Sequence, residues 1–436
     1  MINRRQLLLG SAAGLVSAGL SNRTVYAKTN QAATSDPDNT PQNQLASDSN
    51  LPYTPVVTPN GRTLPYKMRD GVKEFHLIAE EVDHEFAEGT RIKAWGYNGS
   101  TPGPTIEAVE GDQVRIYVTN RLKEPTTVHW HGLLLPFGMD GVAGLTQRAI
   151  PPGESWAYEF TLKQHGTHMY HPHSDEMLQM AMGMMGMFII HPKQQDPGTQ
   201  VDRDFALLLH NWAIHPATYR PDPSIMTDFD LWTINSKVFP HIAPLLAETG
   251  DRVRVRIGNL SMYNHPMHMH GVQFDVTGSD GGRWPQNQWR KEVTEIVGVG
   301  QTRDLEFTAV AGDWPLHCHM SHHTMNAMGH ELPVTTGVDQ SELARQIRQQ
   351  IPGYMAMGEH GMSAHQQHID AGHMRGPENT LPMMGGRGAF GPMEMGGMFT
   401  LIKVRDELDH SDPGWFEPPE GTQAYRVDAV PDDLPV

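Results

Sequence analysis

Thr105–Asn120 reads TIEAVEGDQVRIYVTN and Ala243–Ser261 reads APLLAETGDRVRVRIGNLS. In each, apolar and polar residues alternate about a Gly-Asp turn, the period-two signature of half-buried strands. Their surroundings match as well. Asn and turn-forming residues precede both stretches (YNGSTPGP from Tyr97, INSKVFP from Ile234). A histidine cluster follows both, VHWHG at Val128–Gly132 and HPMHMHG at His265–Gly271. The chain therefore carries an internal repeat of two similar β-domains. Only Gln340–Gln350, QSELARQIRQQ, has a helical period. The expected fold class is all-β, two antiparallel sandwiches or Greek-key barrels in tandem.

A second echo sets the organisation. MAMGMMGMFII (Met180–Ile190) closes the first repeat, and its counterpart MEMGGMFTLI (Met393–Ile402) lies far beyond the HCH of His317–His319. Domain 1 is expected over 63–197 and domain 2 over 198–338. An insertion rich in Gly, His and Met, over 339–391, reads as a surface segment. The final strand of domain 2 and a tail then occupy 392–436.

MINRRQLLLGSAAGLVSAGL opens the chain, with Arg4 and Arg5 ahead of a small-residue apolar run, and Val25–Ala27 fits a cleavage site. Residues 1–27 read as a Tat-type signal peptide of bacterial export, which gives a periplasmic location. The run falls short of the ~20 residues of a membrane span. Residues 28–62, rich in Asn, Ser, Asp and Pro, read as a disordered linker. A formal charge of −17 disfavours nucleic acid and anionic membranes as partners. The single cysteine excludes an intrachain disulfide. Imidazoles and thioethers are ligands for copper-like metals, and the 25 histidines and 26 methionines cluster.

Four His-x-His pairs stand out: His129/His131, His171/His173, His268/His270 and His317/His319. Residues two apart on a strand share a face, so each pair aims two imidazoles at one place. One such pair is commonplace. Four, at equivalent points of a repeat, can build one metal cluster of eight imidazoles between the domains. Cys318 lies between His317 and His319 and points to the opposite face. Two histidines, a thiolate and a weak axial methionine make a blue-copper electron-transfer centre, and His265, Cys318, His323 and Met328 are the candidates. One short strand thus joins two metal sites.

HWHG, HPH, HPMHMH and HCHMSHHTMNAM, in this order, resemble the four copper motifs of multicopper oxidases, the laccase superfamily. The resemblance implies cupredoxin-like domains and about four copper ions per chain. It assigns type 1 copper to His265, Cys318, His323 and Met328, and type 2 copper to His129 and His268. The type 3 pair falls to His131, His171, His173, His270, His317 and His319. Ala327 stands where the family has Gly before the axial methionine. His265 follows His173 by only 92 positions, which leaves no room for a middle domain. The chain is therefore similar to two-domain laccases with type 1 copper in the second domain, a subgroup whose cluster is completed between subunits of a homotrimer. Pro172 in HPH stands where a second thiolate site would need a cysteine.

The implied activity is one-electron oxidation of a donor, cuprous ion or a phenol, coupled to reduction of dioxygen to water. The resemblance makes Asp140, in FGMDG, the proton relay. A second acid carried by three-domain relatives after the type 1 histidine is replaced here by Thr324, with Asp175 and Glu176 as weaker substitutes. A copper nitrite reductase is the runner-up, but it carries its cysteine in domain one and needs fewer histidines. A non-catalytic periplasmic copper-binding protein is the other alternative. In the insertion, Met355, Met357, Met362, Met374, Met383 and Met384 are candidate Cu(I) ligands, since thioethers select the soft ion.

Overall fold

The computed structural model describes residues 51, 53–194, 196–215, 218–326, 339, 341–350, 381, 385–409, 413–428 and 430. It is two cupredoxin-like β-domains built on one plan. In the first half, Val72–Ala87 runs parallel to Gln113–Asn120, which pairs antiparallel with Ser155–Thr161. The facing sheet orders Ile106–Val109, Gly186–His191, Gly166–His171 and His129–His131. In the second half, Arg203–Trp212 runs parallel to Arg252–Asn259, which pairs antiparallel with Thr302–Thr308. Its facing sheet orders Leu245–Glu248, Phe399–Arg405, Gly312–Cys318, His265–Met269 and Thr294–Val297. The parallel and antiparallel pairings of the matched strands recur, with Thr294–Val297 as an added edge in the second half. In both repeats the Gly-Asp turn carries the chain from one sheet to the other. Burial on the Gln113–Asn120 strand alternates as the sequence pattern requires.

Asn120 and Asn259 hold equivalent corners, each nine positions before the first histidine of an H-x-H pair. The Asn120 amide donates to the carbonyls of Glu124 and Ile150, and the Asn259 amide to those of Tyr263 and Val297. These bonds fix the turn that feeds each histidine strand.

The strand Phe399–Arg405 pairs with Gly312–Cys318 on one side and Leu245–Glu248 on the other. It fills the place that Gly186–His191 fills in the first half. Met169, Met185 and Met187 pack with Ala206, Leu208 and Trp212 in a core shared by the halves. The methionine run before MFII is thus packing material, as adaptable thioethers suit an irregular junction. A short helix, Glu176–Ala181, interrupts that run. Polar contacts cross the junction too: Thr167 donates to Asp304 at 2.6 Å and accepts from the buried Arg256 guanidinium at 2.8 Å.

One expectation needs correction. Residues 53–62, assigned to a disordered linker, are packed. Tyr53 stacks on His191 with centroids 3.7 Å apart, and Val56–Val57 adds a parallel strand beside Arg203–Trp212. The few apolar residues of that stretch suffice because each meets an open edge or ring. The helical period at Gln340–Gln350 forms the helix Ser341–Gln350. Residues 1–50 and the candidate thioethers Met355, Met357, Met362, Met374, Met383 and Met384 lie outside the described residues, as does Met328. Among the described residues no helix is long and apolar enough to cross a membrane.

Candidate metal centres

Register places the sites. Met267 lies opposite Cys318 and His268 opposite His317, so Cys318 shares the inner face of its sheet with Met267, while His268 and His317 share the outer one. On the inner face His265, Cys318 and His323 converge, all fully buried. Cys318 Sγ is 3.6 Å from His265 Nδ1 and 3.3 Å from His323 Nδ1, and the two nitrogens are 3.1 Å apart. Metal bonds of about 2.0–2.3 Å to N and S ligands span such a triangle. Ser261 Oγ accepts from His265 Nε2 at 2.7 Å, which turns Nδ1 toward the thiol. Trp232 stacks on His323 at 4.9 Å. The returning final segment clamps the loop: Gly396 N donates to Thr324 O at 2.6 Å and Met398 N to His323 O at 2.9 Å. Gly397 is left-handed there, and a Cβ would sit 2.5 Å from the His323 carbonyl.

Burial pushes the Cys318 thiol up to about 12 and the His265 and His323 imidazoles down to about 3. A dry pocket of this kind favours the neutral groups. Only a cation placed among them makes the thiolate stable. The donor set and its spacing therefore fit a blue-copper ion.

Among the described residues the first domain has no such centre, and the reason is visible. Thr126 and Pro172 stand where His265 and Cys318 stand in the repeat. The buried Gln179 fills the space, accepting from Thr126 Oγ at 2.6 Å and donating to Pro125 O at 2.8 Å.

The eight remaining histidines form two quartets. His129, His131 and His171 bring ligand atoms within 4.8 Å of one another, as do His268, His270 and His317. His173 flanks the first group, with its ring 5.6 Å from that of His129, and His319 flanks the second, 5.4 Å from His268. His131 Nδ1 is 3.2 Å from His171 Nε2, and His270 Nε2 is 3.2 Å from His317 Nε2. Nitrogens on one ion at about 2.0–2.1 Å sit about this far apart. Backbone carbonyls set the tautomers. His129, His171 and His317 donate from Nδ1 to Asp140 O, Pro172 O and Cys318 O at 2.8, 3.0 and 2.9 Å. His268 donates likewise to Val293 O at 2.6 Å. Each then turns Nε2 outward as a ligand.

No ring contact joins the quartets within the chain among the described residues. Within the chain the eight imidazoles of the expected cluster thus stand as two half-clusters. Spacing alone shows that the pairs share faces, not that the faces meet.

Gly141 lets the FGMDG loop press on the His129 strand, since a Cβ there would lie 1.9 Å from Val128 O. The Asp140 carboxylate sits 3.5 Å from His129 Nδ1 and is about one-third exposed. Thr324 is buried and donates to Ser321 O at 2.9 Å. Asp175 caps the short helix in a left-handed conformation. Glu176 lies against His171 and His173, at 3.7 and 3.5 Å. Ser261 and Glu176 carry no signal stronger than their distance along the chain from a ligand histidine, and Trp232 carries none.

Several buried imidazoles are held neutral by desolvation: His84, His171, His265 and His323 at about 3, His168 and His210 at about 4. Their ordinary value is 6.5. Between those limits the unfolded chain binds more protons than the folded one, so stability rises with pH. Metal-free protein should lose melting temperature steadily as pH falls below about 6.5. A melting temperature flat from pH 7 to 5 would contradict these burials.

Comparisons with known proteins agree with the geometry. The multicopper oxidase family matches twice, over residues 79–195 and 216–338. Copper resistance protein A of Escherichia coli is 41% identical over 124 residues, 28% of this chain and 20% of that protein. A copper resistance protein A homolog of Pseudomonas syringae pv. tomato is 40% identical over 140 residues, 32% of this chain and 23% of that protein. This chain thus matches less than a quarter of either relative's length. The solved blue copper oxidase of Nitrosomonas europaea is similar over 76% of this chain and 85% of its own, at 26% identity and a TM-score of 0.57. With more than half of its length matched by the family and one sheet plan repeated behind two histidine quartets, the chain belongs to the multicopper oxidases.

Proposed function

We propose that the chain is a copper-dependent oxidase that couples one-electron oxidation of cuprous ion or phenolic donors to four-electron reduction of dioxygen to water. The observation that carries this reading is the strand Gly312–Cys318 and its continuation. It gives Cys318 to the buried triad on one face and His317 to a quartet on the other. Two covalently linked neighbours connect an electron-accepting site with a cluster.

His265, Cys318 and His323 would hold type 1 copper, with Met328 as axial ligand, and the two quartets type 2 and type 3 copper. Bound copper supplies the one-electron chemistry. The chain's own work is to keep the triad dry, to fix each histidine's tautomer through a carbonyl, and to deliver protons. Asp140 suits the last task, being partly exposed and next to His129. Asp140→Asn should spare reduction of the blue site and slow dioxygen uptake by about 10- to 100-fold. Wild-type turnover across pH would remove Asp140 from the proton route.

The quartets are separate within the chain, so a second copy must close each cluster. Exposed apolar side chains flank both halves. Leu134, Phe137, Leu145 and Met177 lie close in sequence to the first, and Val293, whose carbonyl accepts from His268, and Ile296, on the strand paired with His265–Met269, lie beside the second. These surfaces differ, so the contact is head-to-tail, and a three-fold ring closes it. A homotrimer is the assembly this supports.

Relatives named for copper resistance favour a role in periplasmic copper tolerance, with cuprous ion as donor and the twin-arginine leader as the export route. Parallel steady-state assays with cuprous ion and a phenol, recording dioxygen uptake, test the substrate. Oxidation of the phenol alone would overturn the copper-tolerance role.

A further inference from the structure

The two quartets are not chemically equal. Among the described residues no carboxylate comes within ion-pair distance of His268, His270, His317 or His319, whereas the first quartet has Asp140 and Glu176. Both acids lie beside an Nδ1 that donates to a backbone carbonyl, and Glu176 alone also reaches an Nε2. Asp140 stands at His129 Nδ1, the nitrogen that already donates to its carbonyl and is turned away from the ligand position. Glu176 Oε2 stands 3.5 Å from His173 Nε2, and Oε1 lies 3.7 Å from His171 Nδ1. One ion bonded to a nitrogen and an oxygen at about 2.0–2.2 Å holds them about 3.3–3.6 Å apart. The His173–Glu176 spacing falls in that range.

The local backbone makes the approach deliberate. Asp175 adopts the left-handed region at φ 46°, an uncommon conformation for a residue with a Cβ. That turn starts the helix Glu176–Ala181 directly after HPH and swings Glu176 back over both imidazoles. Gln179, three residues on, anchors the helix through its two hydrogen bonds to Thr126 and Pro125.

On the proposed function above, we infer that Glu176 is an oxygen ligand, with His173, to an ion of the first quartet. It makes that quartet the half that holds copper before a second copy supplies the other half. Four neutral imidazoles leave the full charge of the ion uncompensated in a partly dry site. A carboxylate at bonding distance offsets part of it and adds a harder donor suited to the cupric state. Its side chain is 43% exposed, so it meets incoming ions without reorganisation of the core.

Copper-reconstituted wild type, Glu176→Gln and Glu176→Asp are compared for copper retained against graded EDTA, with paramagnetic resonance of the cluster copper recorded. The blue band of the Cys318 site, in the same samples, reports the fold. Glu176→Gln keeps the size of the side chain but loses its charge and one acceptor oxygen. It should release one cluster ion at about tenfold lower EDTA, with an altered resonance signal and an unchanged blue band. Glu176→Asp should recover part of the retention. Wild-type retention in Glu176→Gln, or equal loss in both variants, overturns the assignment. A wild-type protein with neither copper nor a blue band would instead overturn the oxidase reading itself.

Discussion

Cys318→Ser should abolish the blue thiolate band and lower oxidase turnover by at least about 100-fold, while the quartets keep their copper. Serine is nearly the same size, so the core around position 318 stays filled. Its hydroxyl is a poor partner for copper and does not ionise in a pocket that already pushes a thiol up to about 12. The folding penalty is that of one buried hydroxyl beside two imidazoles, about 1–3 kcal/mol. The protein should therefore fold, bind cluster copper and fail to pass electrons. Absorbance, metal analysis and dioxygen uptake on one sample check all three. A variant that stays blue would refute the triad.

Ile296→Glu should convert the assembly to monomers and remove activity with them. Ile296 lies on Thr294–Val297, opposite Pro266 and one pleat from the Thr294–His268 pair, so it points to the face that carries the second quartet. Its side chain is 57% exposed in the single chain and stands in the proposed contact. A carboxylate buried there without a partner costs several kcal/mol, and about 3 kcal/mol weakens association on the order of 100-fold. The blue site lies within one chain and should survive. Sedimentation read beside the blue band separates the outcomes: a blue, inactive monomer is expected, and a blue, fully active monomer would exclude a cluster shared between copies.

Much of this is legible in the amino-acid sequence. The alternation around two Gly-Asp turns gave both β-domains because period two is a property of the strand itself. The opposite facing of Cys318 and His317 followed from the same geometry. MEMGGMFTLI pointed to a displaced final strand, and Phe399–Arg405 holds that place. What stayed hidden depends on tertiary contact. Tyr53 looked like linker because its partner, His191, is distant in sequence. The Glu176 contact depends on a left-handed turn at Asp175 that spacing does not encode. The alternation itself reports only which side chains share a face; that the halves meet between copies is what the resemblance to two-domain laccases implies.

The most direct test of the central claim is the ratio of electrons donated to dioxygen consumed in the copper-loaded protein, with hydrogen peroxide assayed in the same vessel. An oxidase that stores electrons in a blue site and a closed cluster should take up one dioxygen for every four electrons and release no peroxide. Peroxide at one per two electrons, or no dioxygen uptake with the blue site fully reduced, would contradict the account.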